Sequence, residues 1–162
     1  MENLVERDIF KEVSEHLHEE EITVIIGPRQ VGKTTLLYQL KQQLRKEGVQ
    51  EQRVRIFNLD VETDRRVFAD QTTFLEYLRA EAGAEKLFVF VDEVQRLANP
   101  GIFFKGVYDT RLPVKLVLTG SSALEIRSRI HEALTGRKRV FLLEPFSFRE
   151  YLLATQPDLI SW

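Results

Sequence analysis

The segment GPRQVGKTTLL, from Gly27 to Leu37, directly follows the apolar run ITVII, which spans Ile22 to Ile26. Its stretch from Gly27 to Thr34 matches the pattern GxxxxGK(S/T), which is typical of loops that bind nucleotide phosphates. The alternative is an ordinary glycine turn between a strand and a helix. An apolar strand before the segment and a helical pattern after it favour the phosphate loop.

The chemistry of phosphate binding explains the residue types of this loop. Glycines allow positive φ and bring backbone N–H groups close to phosphate oxygens, and a helix beginning at Lys33 points its positive dipole end at the same anion. We expect the Lys33 ammonium to reach the β- and γ-phosphates of ATP and the Thr34 hydroxyl to coordinate Mg²⁺. The predicted nucleotide contacts are Gly27, Pro28, Arg29, Gln30, Val31, Gly32, Lys33, Thr34 and Thr35. For Arg29 and Gln30, a surface role is an equal alternative.

The run LFVFVDE, from Leu87 to Glu93, reads as a buried strand that ends in two carboxylates. Asp92 ends the strand, so we expect it at the carboxyl end of the sheet, where the phosphate loop also opens and where a carboxylate can hold Mg²⁺. Glu93 is then free to deprotonate a water that attacks the γ-phosphate. The alternative is a solvated acidic turn after the strand. The phosphate-loop pattern at Gly27–Thr34 favours the functional interpretation over this one.

The run VKLVLTGSS, from Val114 to Ser122, is another apolar strand, and it ends in hydroxyls. Thr119, Ser121 or Ser122 can hydrogen-bond the γ-phosphate or the attacking water. Capping of the next helix is an equally natural role for a serine or threonine here. We favour Ser121 for the catalytic role because it lies just beyond the strand end.

The rest of the chain alternates strands and helices, which predicts a parallel α/β sheet covered on both faces. We predict a first helix from Leu4 to His18 and a second from Lys33 to Lys46, ending before Gly48. Capping boxes are predicted at Thr73 with Glu76 and at Ser147 with Glu150. Further strands are predicted at Val54–Asp60 and Arg139–Leu143, and further helices follow Pro100 and cover Ala123–Leu134.

Composition describes an ordinary soluble domain. The 162 residues carry a formal net charge of −2, so no overall positive field favours nucleic acid. Because there is no cysteine, disulfides, thiolate zinc sites and thiol catalysis are excluded. No apolar run approaches the roughly 20 residues of a membrane span, and we expect a cytoplasmic protein without membrane contact.

Two groups of residues allow more than one interpretation. A basic region suits a nucleic-acid surface or, at least as well, a phosphate site or subunit interface: Arg127, Arg129, Arg137, Lys138 and Arg139. A set of phenylalanines is expected to fill the core: Phe103, Phe104, Phe141, Phe146 and Phe148.

The blocks GPRQVGKTTLL, FVFVDEVQR, LVLTGSSA and LTGRKRVFLLEPFSFREYL, in this order, resemble the AAA+ superfamily of ATPases. More narrowly, they resemble a group of bacterial and archaeal predicted ATPases. The resemblance implies a three-layer αβα P-loop NTPase with a five-stranded parallel sheet in the order 5-1-4-3-2. It makes Gly27–Thr34 the Walker A loop, Asp92 and Glu93 the Walker B pair, and Ser121 the sensor-1 residue. Arg137 becomes a candidate catalytic arginine given to a neighbouring subunit of a homo-oligomer, with a structural role as the alternative.

Relatives in this group usually continue with a long C-terminal region that includes a nuclease-like domain. We therefore expect residues 1–162 to be the AAA+ core of a longer protein, without a lid, that couples Mg²⁺-dependent ATP hydrolysis to an attached domain or protein partner. The alternatives are a P-loop kinase of nucleotides or small molecules, and a module that binds nucleotide without hydrolysis. A GTP switch lacks support because the Asn-Lys-x-Asp motif does not occur.

Overall fold

A five-stranded parallel sheet forms the centre of the molecule, and the structure, a computed structural model, describes residues 5–121 and 124–156. The side chains of residues 124–128 lie outside this description. The strands are β1 (Ile22–Gly27), β2 (Val54–Asn58), β3 (Leu87–Asp92), β4 (Val114–Ser121) and β5 (Lys138–Leu142). Their order, β2-β3-β4-β1-β5, confirms the predicted order when read from the opposite side.

Helices connect the strands and cover both faces of the sheet. They are α1 (Phe10–His16), α2 (Lys33–Lys46), α3 (Glu62–Arg65), α4 (Gln71–Ala82), α5 (Pro100–Asp109), α6 (Leu124–Ala133) and α7 (Phe148–Thr155). Short 3₁₀ turns lie at Glu51–Arg53, Arg66–Phe68 and Val94–Arg96. Each strand is joined to the next by at least one helix, as parallel pairing requires.

The sheet has one apolar core on each face, which confirms the predicted three layers. Alternate residues of β1 point to opposite faces, so Val24 and Ile26 belong to one core and Ile25 to the other. The first core packs against α4, α5 and α6 through Phe74, Leu78, Phe104, Val107 and Ile130, and Leu134, directly after α6, joins it. The second packs against α1 and α2 through Val13, Leu36, Leu37, Leu40 and Leu44. Both cores anchor the strand that leads into the phosphate loop.

Helix α2 has the predicted bounds, and its end shows why. Gly48 has φ 90°, a conformation that favours glycine. The Gly48 N–H donates to the Arg45 carbonyl and the Val49 N–H to the Leu44 carbonyl, which together form a Schellman motif. The capping box of Ser147 and Glu150 at the start of α7 is likewise confirmed.

Other local predictions were wrong. Helix α1 begins at Phe10, and Val5–Arg7 are not helical, because the Arg7 side chain is turned into the protein and held there. Helix α4 is capped by Asp70, whose side chain accepts from the Thr73 N–H, so the helix begins earlier than the predicted box at Thr73. Strand β2 ends at Asn58, where the Asn58 side-chain oxygen accepts from the Asp60 N–H and starts a turn.

The prediction for the phenylalanines holds only in part. Phe104 and Phe141 are buried and Phe103 is partly buried, but Phe146 and Phe148 are 58% and 76% exposed. The last two follow the final strand, where the chain has left both cores. Among the described residues, no helix is long and apolar enough to cross a membrane.

Candidate functional site

The predicted phosphate loop, the carboxylate pair and the hydroxyl strand meet at the carboxyl end of the sheet. Strand β4 lies between β1 and β3, and its Ser121 is in register with Gly27. Asp92 is the last residue of β3. Parallel strands end on the same side, so three segments far apart in sequence contribute to one site.

The phosphate loop is held tightly at its first glycine. A Cβ on Gly27 would lie 2.3 Å from the Leu143 carbonyl oxygen, so only glycine fits between β1 and the end of β5. Gly32, the N-cap of α2, has φ 101°, and Gln30 has φ 60°. These left-handed residues turn the chain from the strand into the helix within a few positions.

Lys33 lies across the loop. Its side chain is nearly buried, at 4% exposed, and its Nζ donates to the carbonyl oxygens of Gly27 at 3.0 Å and Pro28 at 2.7 Å. The next residues of the loop, Pro28 to Gln30, are exposed. An ammonium beside a helix N-terminus and a loop with an open outer surface is suited to binding an anion.

Thr34 and Asp92 are in direct contact. The Thr34 hydroxyl donates to Asp92 Oδ2 at 2.5 Å, and the Thr119 hydroxyl donates to Asp92 Oδ1. Thr119 also accepts from the Glu93 N–H at 3.3 Å. Asp92 is only 1% exposed, so these hydroxyls satisfy a buried carboxylate. A hydroxyl and a carboxylate brought together are the oxygen donors that Mg²⁺ takes, and the residues present therefore fit that ion.

Glu93 lies just past the strand in a left-handed conformation, with φ 61°. Its carboxylate accepts a hydrogen bond from Gln95 Nε2, and Gln95 Oε1 accepts from the Ser121 N–H at 3.4 Å. Gln95 therefore connects the Asp-Glu pair to the end of β4. Gln95 lies in the 3₁₀ turn Val94–Arg96 and makes both contacts from there.

The three hydroxyls at the end of β4 have different surroundings. Thr119 is fully buried and occupied with Asp92. Ser121 is half-buried at the strand end, beside the loop strand. The prediction for Ser122 lies outside the described residues.

Arg137 does not lie at this site. It directly precedes β5, and its carbonyl accepts from the N–H of Ile22, the first residue of β1. Arg137 is thus at the amino end of the sheet, opposite the phosphate loop of its own chain. Its Nε donates to Asp109 Oδ1 at 2.8 Å, and this hydrogen bond raises the pKa of Arg137 and lowers the pKa of Asp109.

Arg7 is a residue at this end of the sheet that sequence reasoning missed. Its Nη1 donates to the Val31 carbonyl of the phosphate loop at 2.8 Å, and its Nε pairs with Glu150 Oε1 at 3.0 Å. Burial acts to raise the pKa of Glu150, but hydrogen bonds from the Asp8 and Ser147 N–H groups and from Arg7 outweigh it and lower that pKa. A charged residue in a predicted amphipathic helix gave no signal of this contact.

No cluster of three or more His, Asp or Glu residues suited to a metal occurs in residues 5–121 and 124–156. The basic residues Lys138 and Arg139 are partly or fully exposed and contact His131 and Glu12. The predicted basic region thus pairs in part with the protein itself.

Comparison with known proteins agrees with this arrangement. A family model described as AAA domain matches residues 19–152. A protein of Haemophilus influenzae, described as uncharacterized, is 27% identical over 141 residues, which are 85% of this chain and 34% of that protein. The chain thus spans about a third of the length of this relative.

Two solved structures have a similar fold. The Orc1 protein of Aeropyrum pernix, solved in complex with DNA, has a TM-score of 0.61 and 13% identity over 98% of this chain and 51% of that one. Drosophila ORC bound to DNA has a TM-score of 0.59 and 13% identity over 89% of this chain and 93% of that one. At this identity the likeness concerns the fold alone.

Proposed function

This chain belongs to the AAA domain family, and from that premise we propose that it binds ATP with Mg²⁺ at the carboxyl end of its sheet and hydrolyses it. Its fold is that of an AAA+ type P-loop ATPase core. The observation that carries the proposal is the contact between Thr34 and Asp92, two predicted Mg²⁺ ligands that are 58 positions apart in sequence. Glu93 follows directly, with its carboxylate only half-buried.

Binding is assigned to the loop and to α2. The backbone N–H groups of the loop from Arg29 to Thr35 donate to the phosphates, and the Lys33 ammonium exchanges its two carbonyl partners for phosphate oxygens. Thr34 and Asp92 would hold Mg²⁺, which would supply positive charge against the β- and γ-phosphates. Thr119 orients the Asp92 carboxylate by its hydrogen bond.

Hydrolysis is assigned to Glu93. Its carboxylate takes a proton from the attacking water as the water oxygen bonds to the γ-phosphorus, and the bond from that phosphorus to the β–γ bridging oxygen breaks. The products are ADP and inorganic phosphate. Ser121 orients the γ-phosphate or the water from the end of β4. Gln95 positions the Glu93 side chain by its hydrogen bond.

The test is steady-state phosphate release with Mg²⁺ and ATP. Glu93→Gln keeps nucleotide affinity and lowers turnover by about 100- to 10,000-fold, the usual contribution of a general base. Glu76→Gln, on the exposed face of α4, is the matched control and keeps wild-type turnover. Wild-type turnover in Glu93→Gln would contradict the role of Glu93. Binding without any phosphate release by the wild-type chain would favour the non-hydrolysing module instead.

We also propose that Arg137 acts on the nucleotide of a neighbouring subunit. Its place at the amino end of the sheet, away from its own loop, supports a role in trans over a role in cis. Turnover per chain then rises with protein concentration, and Arg137→Ala removes this rise without changing nucleotide affinity. Arg65→Ala, an exposed change elsewhere, is the control. Turnover per chain that is independent of protein concentration would contradict the role in trans and would indicate that Arg137 serves only its ion pair with Asp109.

We propose that hydrolysis takes place in the cytoplasm and drives an attached domain or a partner protein. The absence of cysteine fits a reducing compartment. In the Haemophilus influenzae relative the matched part is 34% of the chain, which leaves room in that protein for further domains. Adenine preference is tested by competition of ATP and GTP for the site, and tighter GTP binding would contradict it.

A further inference from the structure

Arg7 lies between the phosphate loop and the last helix. It is only 6% exposed, and its guanidinium contacts the Val31 carbonyl, the Glu144 carbonyl and the Glu150 carboxylate. The Phe146 ring covers it from outside, with Cζ 4.5 Å from the ring centroid. A buried charge is retained at a cost, so its contacts on three separate segments indicate a specific role.

The contact with Val31 fixes the orientation of one peptide group of the phosphate loop. In a trans peptide the C=O of one residue and the N–H of the next point in opposite directions, and no described peptide is cis. Because Arg7 Nη1 holds the Val31 carbonyl, the N–H of Gly32 is directed away from Arg7. A charged donor on the carbonyl also polarises this peptide and makes its N–H a stronger donor to an anion.

The contact with Glu150 fixes Arg7 itself. Glu150 Oε1 also accepts from the Asp8 N–H at 2.7 Å, and Oε2 accepts from the Ser147 N–H at 2.8 Å. Ser147 and Glu150 form the capping box of α7, so the carboxylate that holds Arg7 is part of the first turn of that helix. Glu150 is 5% exposed, so its charge depends on Arg7 and these N–H groups in place of water.

We propose that Arg7 is a positioning residue that links the phosphate loop to α7, so that nucleotide binding and the docking of α7 favour each other. The inference rests on the proposed nucleotide binding and adds a route by which the bound state reaches the end of the core. Only two side-chain contacts separate the loop from α7. Coupling between two binding events is reciprocal, so a break at Arg7 weakens both.

Binding of Mg²⁺ with ADP tests the first half of the link. Arg7→Lys keeps the charge but cannot hold Val31, Glu144 and Glu150 together, and Glu150→Gln removes the charged partner. Each variant is expected to bind ADP about 10-fold more weakly, within the usual range of coupling between sites. Arg149→Gln is the matched control, because the neighbouring Arg149 pairs with Asp8 at the exposed surface, and it keeps wild-type affinity.

Hydrogen exchange of the α7 amides tests the second half. In the wild-type chain, Mg²⁺ with ADP slows exchange in α7, and in Arg7→Lys this nucleotide effect is lost. A residue that only stabilises the fold would change exchange equally with and without nucleotide. If both variants fail to fold, hydrogen exchange in the wild-type chain is the deciding measurement. An exchange rate of the α7 amides that does not change with ADP would overturn the link.

The outcomes separate this inference from the function on which it rests. A wild-type chain that binds no nucleotide contradicts the proposed function. A wild-type chain that binds ADP, together with folded Arg7→Lys and Glu150→Gln variants of equal affinity, contradicts only the link.

Discussion

The two ends of the sheet each contain a buried lysine with almost the same contacts. At the carboxyl end, Lys33 donates to the carbonyls of Gly27 and Pro28. Near the amino end, Lys115 of β4 is 1% exposed and donates to the carbonyls of Glu19 and Glu21. Hydrogen-bond partners alone therefore do not tell which lysine binds a ligand.

The difference lies in what the carbonyls belong to. Lys33 bonds to its own loop, five and six positions away, where an anion can replace the carbonyls. Lys115 bonds across the fold to the turn between α1 and β1, so its contacts fix that turn. Burial, and then the charge of Lys86, lowers the pKa of Lys115 to about 7. We therefore expect Lys33 to exchange its carbonyl partners for a ligand, whereas Lys115 holds the turn before β1 in place.

Substitution of Lys33, compared with substitution of Lys115, gives the largest expected change in nucleotide affinity. Lys33→Ala is expected to weaken binding of ADP with Mg²⁺ by about 1,000-fold, because it removes the cation that the proposed site offers to the phosphate oxygens. Lys115→Met is the matched control and keeps the affinity. Titration calorimetry of both variants measures the contrast. A loss in Lys115→Met equal to that in Lys33→Ala would break the distinction between the two ends.

Gly27→Ala tests the tight backbone at the carboxyl end. Its Cβ would meet the Leu143 carbonyl oxygen at 2.3 Å, so we expect the free energy of unfolding to fall by about 3 kcal/mol. Gly48→Ala, with φ 90° and open space around its Cβ, is the control and loses about 1 kcal/mol. Urea denaturation measures both. Equal losses would contradict the view that the close approach of Leu143 to Gly27 costs more than the positive φ of Gly48.

The pH dependence of stability tests the amino end. The folded-state pKa of Lys115 is about 7 against an ordinary value of 10.5, so between these values the unfolded chain binds more protons. Stability therefore rises with pH in this window, by about 2 kcal/mol from pH 7 to pH 9 for Lys115 alone. Lys115→Met removes this part of the rise in urea denaturation. An unchanged slope in the variant would place the titration on another group, such as Lys86, whose pKa burial also lowers.

Prediction from sequence succeeded where the rule is local. The bounds of α2, its glycine end and the Ser147 capping box depend on a few neighbouring residues, and the structure agrees with all three. The position of Thr34 and Asp92 at one edge of the sheet followed from the rule that parallel strands end on one side, and their direct hydrogen bond is an addition from the structure. The strand order came from the family resemblance, because nothing in the residues themselves sets which parallel strands are neighbours.

Prediction failed where a distant partner decides. The spacing predicts one helix face formed by Val5, Ile9, Val13 and Leu17. The helix nevertheless begins only at Phe10, because the segment before it turns Arg7 toward Val31. No local rule turns a charged residue inward toward a carbonyl 24 positions away. Phe146 is exposed on its outer side while its ring lies over that same guanidinium, and composition cannot reveal this contact.

The central place of β1 in the sheet has a consequence for how the protein folds. Ile25 pairs with Thr119 on one side and Phe141 on the other, so both neighbours of β1 come from the second half of the chain. Contacts so distant in sequence form slowly, since the loop-closure entropy must be overcome first. The phosphate loop precedes both of these strands in the sequence, so it reaches its final shape only after they have formed.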